Sequence, residues 1–360
     1  MRPLIMDRRE LQILTNCIYG GNTRYVHVKY PFYDLELFTL DVKTPELKGM
    51  VTFQNFDNER MRRKPVDRGV SADELPTYND LKTCLLTSGF VKYRNHAEVA
   101  RQLMSLRDEA KDPNKRPRPV FIGVDTNVLY FRFLSRGMPM RDPGSGRSVE
   151  APDFRYVLSE IVQVEVDSRI THKYSRGEIE ALGQLFAHKE LLQEFRNGSG
   201  RRERLAKLAF NEMNYLMSEL RALRIKGTAV KGKERNDIEI ALSYGSWARE
   251  GDYEVLLLTA DEDMMNHART NELMAIQLDY PHEIPQHGRI DPWSVSDLLY
   301  DLAVTFGAVS LENPGLTLLG EWAGKNSGDY GSERVKVLFE DEREQAEVER
   351  QQALCRGILS

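Results

Sequence analysis

Four carboxylates stand where one edge of a sheet would gather them: Asp125, Glu165, Asp237 and Asp261. Asp125 directly follows the short apolar run Val120 to Val124, and Asp261 follows Val255 to Thr259 within Thr259-Ala260-Asp261-Glu262-Asp263. Both runs read as buried strands, and an open α/β sheet collects its ligands beyond the carboxyl ends of its strands. Glu165 falls in the helical segment after a further strand, five residues beyond Glu160. Asp237, in Glu234-Arg235-Asn236-Asp237-Ile238-Glu239, opens a helix that runs towards Trp247. Four such groups on one edge repel one another unless cations neutralise them. Hard divalent ions such as Mg2+ or Mn2+ take oxygen ligands and keep waters for the substrate, as metal-assisted phosphodiester cleavage requires. Each acid also has an ordinary use. An Asp after a strand caps a helix, a carboxylate in a first helical turn answers the macrodipole, and Glu165 suits a solvated helix face. Two independent strands, however, deliver an aspartate to the same edge, which capping alone does not require.

The elements that must position these acids begin at Val120, where short apolar strands alternate with helical patterns in the manner of a parallel α/β sheet. Val120 to Val124, Arg155 to Ser159, Val255 to Thr259 and Gly307 to Leu311 read as its strands, with Ser159 placed to cap the helix that begins near Glu160. Two amphipathic helices, about Arg176 to Phe195 and Arg201 to Leu223, are expected between the second and third strands, joined by the turn Asn197-Gly198-Ser199-Gly200. Residues 1 to 110 read as a separate α/β unit, with strands at Tyr25 to Tyr30 and Leu35 to Leu40 and a helix over Asn95 to Ala110. The proline-rich stretch 111–119 reads as a linker, because it cannot continue a helix. The expected layout is therefore an N-terminal domain 1–110 and a sheet domain 120–312 with a helical insertion 171–235. A small β appendage 313–340, carrying Leu316 to Trp322 and Val335 to Phe339, and a charged tail 341–360 follow.

The chain has 360 residues, 41% hydrophobic and 29% charged, which suits about two folded domains and argues against wholesale disorder. With 50 basic and 55 acidic side chains its net charge is -5, so affinity for a polyanion must come from local charge. Residues 196–235 supply it, with eleven basic against four acidic side chains. Arg201, Arg202, Arg204, Lys231, Lys233 and Arg235 are the candidates to grip phosphates, the last three leading directly into Asp237. A solvated helix surface, which explains most charge runs, is the competing reading. Tyr130, Phe131 and Phe133 suit core packing better than base stacking. Cys17, Cys84 and Cys355 are odd in number and far apart, as expected of free thiols in a reducing cytoplasm. Charge interrupts the amino end before a signal-peptide core forms, and no run approaches the roughly 18 apolar residues of a membrane span. A soluble, cytoplasmic protein without membrane contact is expected. The seven histidines form no ligand set; His267, six residues after Asp261, is within reach of the cleft but reads better as an ordinary surface histidine. No Gly-rich phosphate loop, GxSxG elbow or Cys-His pair occurs.

The run Val124-Asp125-Thr126-Asn127-Val128-Leu129 resembles the opening motif of the PIN-domain nucleases. A Glu in the next helix, an Asn-Asp opening a later helix and Thr259-x-Asp261 after an apolar strand follow in that family's order. The resemblance spans roughly residues 119 to 312 and implies a PIN-like three-layer sandwich around a central parallel sheet. It implies Mg2+ or Mn2+ held by Asp125, Glu165, Asp237 and Asp261, with Asn127 and Thr259 organising the site through hydrogen bonds and Asp263 as an accessory acid. It further implies an endoribonuclease with RNA as partner, although the residues themselves do not exclude DNA. Between Glu165 and Asp237 lie 71 residues, more than a minimal PIN domain needs, whence the expected insertion. The second acid is Glu160 or Glu165. Glu165 is preferred, because Glu160 immediately follows the strand. A non-catalytic PIN-fold scaffold for RNA or protein is the alternative. A Toprim-like site built on Asp261-Glu262-Asp263 ranks below both, since that fold needs a Glu where Asp125 stands. Residues 1–110 are the place for a substrate-selecting, protein-partner or homo-oligomer contact.

Overall fold

Val120–Val124 (β1), Tyr156–Ser159 (β2), Leu223–Ile225 (β3), Glu254–Thr259 (β4) and Met274–Gln277 (β5) form a sheet ordered β5-β4-β1-β2-β3. Every neighbouring pair is parallel. The coordinates are a computed structural model describing residues 2–21, 23–64, 69–170, 172–227 and 236–359. β1, β2 and β4 are buried almost end to end, which is why they appear in the sequence as unbroken apolar runs. Helices of the chain include His96–Ala110 (α1), Thr126–Tyr130 (α2), Glu160–Asp167 (α3), Arg201–Ser218 (α4), Asn236–Gly251 (α5) and Glu262–Thr270 (α6). From β1 the chain steps through β2 to β3 in one direction, then returns to β4 and steps to β5 in the other. Right-handed crossovers therefore send the helices of the two directions to opposite faces, and α5 packs against α6. The order reverses between β1 and β4, so the crevice of such a sheet opens at their carboxyl ends.

Gly123 sets how closely α5 approaches β1. A Cβ there would meet the Tyr244 ring at 3.1 Å. The Tyr244 hydroxyl donates to the Val124 carbonyl at 2.9 Å and accepts the Ser159 N–H at 3.2 Å, tying the ends of β1 and β2 to α5. Ser159 Oγ also accepts the Ser243 hydroxyl, at 2.9 Å. Gly123→Ala is expected to lower the unfolding free energy by about 1–3 kcal/mol, the range for overpacking a close-packed interior. Urea denaturation measures it, and a loss below roughly 0.5 kcal/mol would mean that the ring yields freely.

Contacts divide the chain into two compact units, and their boundaries differ from those expected of the sequence. One unit comprises Lys92–Ile170 and Ala206–His282 and contains the parallel sheet. It takes in α1 and the proline-rich stretch 111–119, where Arg116 pairs with Glu254 of β4 and with Glu109 of α1. Prolines end a helix, but they do not mark a domain border here. Nothing in the sequence signals β3. Two of its three residues are exposed, so it leaves no apolar trace.

The other unit comprises Met1–Val91, Thr171–Leu205 and Glu283–Ser360. Its eight-stranded sheet runs Leu4–Met6, Val335–Phe339, Leu316–Leu319, Ala308–Glu312, Tyr25–Tyr30, Leu35–Asp41, Glu46–Lys48, His287–Arg289. All its pairings are antiparallel. The expected N-terminal domain and C-terminal β appendage are thus one sheet, and the Gly307 to Leu311 strand belongs to it rather than to the parallel sheet. The helix Pro292–Phe306 is buried along nearly all its length and packs on Tyr78–Thr87, where the Thr87 hydroxyl donates to Asp301 at 2.6 Å. The expected helix over Arg176 to Phe195 is two pieces, Arg176–Gly183 and a 3-10 turn Lys189–Phe195, because His188 takes a left-handed φ of 46° between them. The tail forms the helix Glu342–Leu359. Among the described residues no helix is long and apolar enough to cross a membrane.

Candidate functional site

β1 is buried to its last residue and carries Asp125 to the sheet's carboxyl edge, where only 4% of the residue is exposed. The Asp125 N–H donates to Leu258 of β4 at 3.0 Å, and its carboxylate caps α2. One carboxylate oxygen accepts the Thr126 N–H at 2.6 Å. The other accepts the Asn127 amide at 2.6 Å and the Thr259 hydroxyl at 2.7 Å. Asn127 in turn accepts the Ala260 N–H at 2.9 Å, and Thr259 Oγ1 accepts the Asp261 N–H at 2.9 Å. These bonds lash the turn after β1 to the turn after β4, across the point where strand order reverses. Asp261 caps α6 through the Asp263 N–H at 2.8 Å, and the side chains of both acids reach solvent.

Glu165 of α3 adjoins Asp125 through Thr126, whose hydroxyl donates to Glu165 Oε2 at 2.8 Å. Glu160 points elsewhere and pairs with Arg224 of β3 at 3.5 Å. Five residues on a helix turn the side chain by about 140°, so the two glutamates cannot share a face. Asp237 lies half-buried in the first turn of α5. Burial pushes the Asp125 carboxyl up to about 6, against the lowering bonds from Thr259 and Thr126, and the charges of Asp237 and Glu165 push it further the same way. Asp237 is likewise raised, first by burial and then by Asp261 and Glu165, with Asp263 adding and His267 opposing. Acids from four different elements thus share one electrostatic neighbourhood. Among the described residues, however, no group of three or more His, Cys, Asp or Glu is arranged to hold a metal ion as it stands. Hydrogen bonds join Asp125 to Glu165 through Thr126 and to the Asp261 backbone through Thr259, whereas Asp237 bears on Asp125 through its charge.

The basic candidates fare differently. Arg204 is 2% exposed and donates to the carbonyls of Val304 and Ser199, both at 2.8 Å. Arg201 is buried, with one guanidinium nitrogen donating to both Asp80 carboxylate oxygens and another to the Asp73 carbonyl at 2.8 Å. Both belong to the interior of the antiparallel-sheet unit, so neither is a phosphate grip. Arg202 is exposed but pairs with Asp73 in that same unit. A count of charges along a helix misses that Arg201 and Arg204, one turn apart, face inward together. Lys231, Lys233 and Arg235 lie outside the described residues. Phe133 is fully buried, Phe131 stacks on Tyr280 with ring centres 5.2 Å apart, and Tyr130 lies under the Arg169 guanidinium. Two residues at the site carried no expectation from the sequence: Thr126, which bridges two of the acids, and Arg169, which bonds Glu165. The four-residue spacing of Glu165 and Arg169 was the available signal. No protein-family model, no curated protein and no solved structure matches this chain.

Proposed function

We propose that this chain is a Mg2+- or Mn2+-dependent nuclease of the PIN kind that hydrolyses RNA phosphodiester bonds. The observation that carries the reading is the hydrogen-bonded lashing of Asp125 to the Asp261 turn at the reversal of strand order, with Glu165 and Asp237 acting on the same carboxyl. Asp125, Glu165, Asp237 and Asp261 would hold the cation, since their donors are all oxygen and their mutual repulsion is what a hard divalent ion relieves. When bound, such an ion supplies Lewis acidity towards water and towards the leaving 3′ oxygen. The chain's own task is orientation. Asn127, Thr259 and the Thr126 N–H hold the Asp125 carboxylate by three hydrogen bonds, and the Thr126 hydroxyl holds Glu165. Asp263, next to Asp261, serves as the accessory acid.

The test is cleavage of a single-stranded RNA with Mn2+ or a chelator, comparing wild type with Asp261→Asn. Chelator abolishes cleavage, the products carry 5′ phosphates, and Asp261→Asn lowers kcat by on the order of 100-fold, the upper range for altering a metal site's shell. Undiminished cleavage by the variant would sink the assignment. The lack of a ready three-acid group among the described residues favours a second reading, a scaffold that binds RNA without cutting it. Calorimetry separates the two: a scaffold takes up RNA but no Mn2+.

A further inference from the structure

Arg169 follows Glu165 by four residues, in the turn just past the end of α3, and that spacing brings the two side chains together. Its guanidinium donates to Glu165 Oε1 at 2.7 Å and lies over the Tyr130 ring, 5.5 Å from the ring centre. Half of the Arg169 side chain, 51%, faces solvent, while the Glu165 side chain is largely covered at 19%. Tyr130 ends α2, the helix that Asp125 caps, and the second Glu165 oxygen takes the Thr126 hydroxyl. Arg169 is therefore braced by α2 and α3 together, at the rim of the acids. Among the described residues it is the one cationic side chain that the hydrogen bonds join to any of Asp125, Glu165, Asp237 or Asp261.

An i,i+4 ion pair on an open helix face is common and worth little. Two features separate this pair from the common kind. Its acid partner is fixed by a second bond from the turn after β1, and its guanidinium carbon lies over the Tyr130 ring, 5.5 Å from the ring centre. The ring and the acid together hold the guanidinium in place, while half of the side chain faces solvent.

We infer that Arg169 is a phosphate-positioning residue, which pairs with Glu165 in the cation-free protein and passes to a phosphate oxygen of single-stranded nucleic acid once a cation takes Glu165. This rests on the nuclease reading above. Guanidinium and divalent cation compete for the Glu165 charge, so each weakens the hold of the other. With that charge taken, the fork is free for a phosphate, whose geometry it matches with two parallel N–H donors. Cation and phosphate then assist each other through one side chain, and the coupling is reciprocal. The Tyr130 ring keeps the guanidinium at the rim during the exchange.

The experiment measures Mn2+ affinity by calorimetry without RNA, and KM and kcat for a single-stranded RNA over a salt series. It uses wild type, Arg169→Ala and Arg169→Lys. Arg169→Ala binds Mn2+ about 2- to 5-fold more tightly, because the competitor for Glu165 is gone. Its KM rises about 10-fold with a smaller change in kcat, and its log–log salt slope falls by about 0.7, one phosphate contact on a single strand. Arg169→Lys, a point charge without the fork, lies between the two in KM. Tighter Mn2+ binding with weaker RNA binding is the pattern a merely structural ion pair would not produce. A wild type that cuts RNA, with an Arg169→Ala variant unchanged in Mn2+ affinity or in KM, overturns this inference alone. A wild type that binds no Mn2+, or cuts no RNA, overturns the inference and the nuclease reading together.

Discussion

Asp125→Asn is expected to remove RNA cleavage while becoming progressively more stable, relative to wild type, as pH rises. The loss of activity follows from losing the most buried of the four acids, and it exceeds the roughly 10- to 100-fold that changing an outer partner of a metal site costs. The stability effect follows from the Asp125 carboxyl, raised from 3.8 to about 6, chiefly by burial. The folded protein holds this proton more tightly than the unfolded chain does. Wild-type stability from this group therefore declines as pH rises from about 4 to about 6 and stays at its lower level above that. A shift of about two units corresponds to a decline on the order of 3 kcal/mol. Asparagine carries no such charge and escapes the decline. It also has one oxygen where the aspartate uses two, so the donors of Thr126, Asn127 and Thr259 are no longer all met, at a cost of about 1–3 kcal/mol at every pH. The absolute order of the two proteins depends on that offset. Their difference, measured by urea denaturation in chelator at pH 4 and pH 7.5, moves in favour of the variant by on the order of 3 kcal/mol. A difference independent of pH would mean that Asp125 is ionised throughout. Mn2+ should also raise the wild-type melting temperature by mass action and leave that of Asp125→Asn unmoved.

Arg204→Ala is the substitution expected to damage the antiparallel-sheet unit most. The side chain is buried among Phe195, Val304 and Ser199, and its charge faces Tyr174, Glu321 and Glu74. Removing it leaves the carbonyls of Val304, Ser199 and Thr305 without this donor and Glu321 and Glu74 without its charge. Breaking a buried charge network from one side costs about 3–5 kcal/mol. Arg202→Ala, two residues earlier and exposed, should cost less than about 1 kcal/mol, as surface pairs do. Chemical denaturation of both variants measures the contrast. If Arg204 instead gripped a polyanion, its loss would weaken RNA binding and spare stability.

The parts of this protein written most plainly in its sequence are β1 and β4 and the aspartates that end them. A parallel strand buried on both faces must be apolar at every position, so Phe121-Ile122-Gly123-Val124 and Val255-Leu256-Leu257-Leu258 are visible without any neighbour. The polar residue that ends such a run is visible for the same reason. The Ser159 cap was equally legible, because its partner, the Ile161 N–H, lies two residues away. What the sequence could not carry was anything whose partner is remote. Leu4–Met6 pairs with Val335–Phe339 across nearly the whole chain, and no local pattern announces that register. β3, short and half-exposed, exists because β2 offers an edge. Arg201 and Arg204 read as surface charge, since the residue type does not say whether an aspartate or a carbonyl awaits it inside. Only the folded chain brings Asp80, Val304 and Ser199 to them. The acids divide in the same way: local burial pattern placed Asp125 and Asp261 on one edge, but packing of α3 on α2 decided that Glu165 meets Thr126 while Glu160 turns to Arg224.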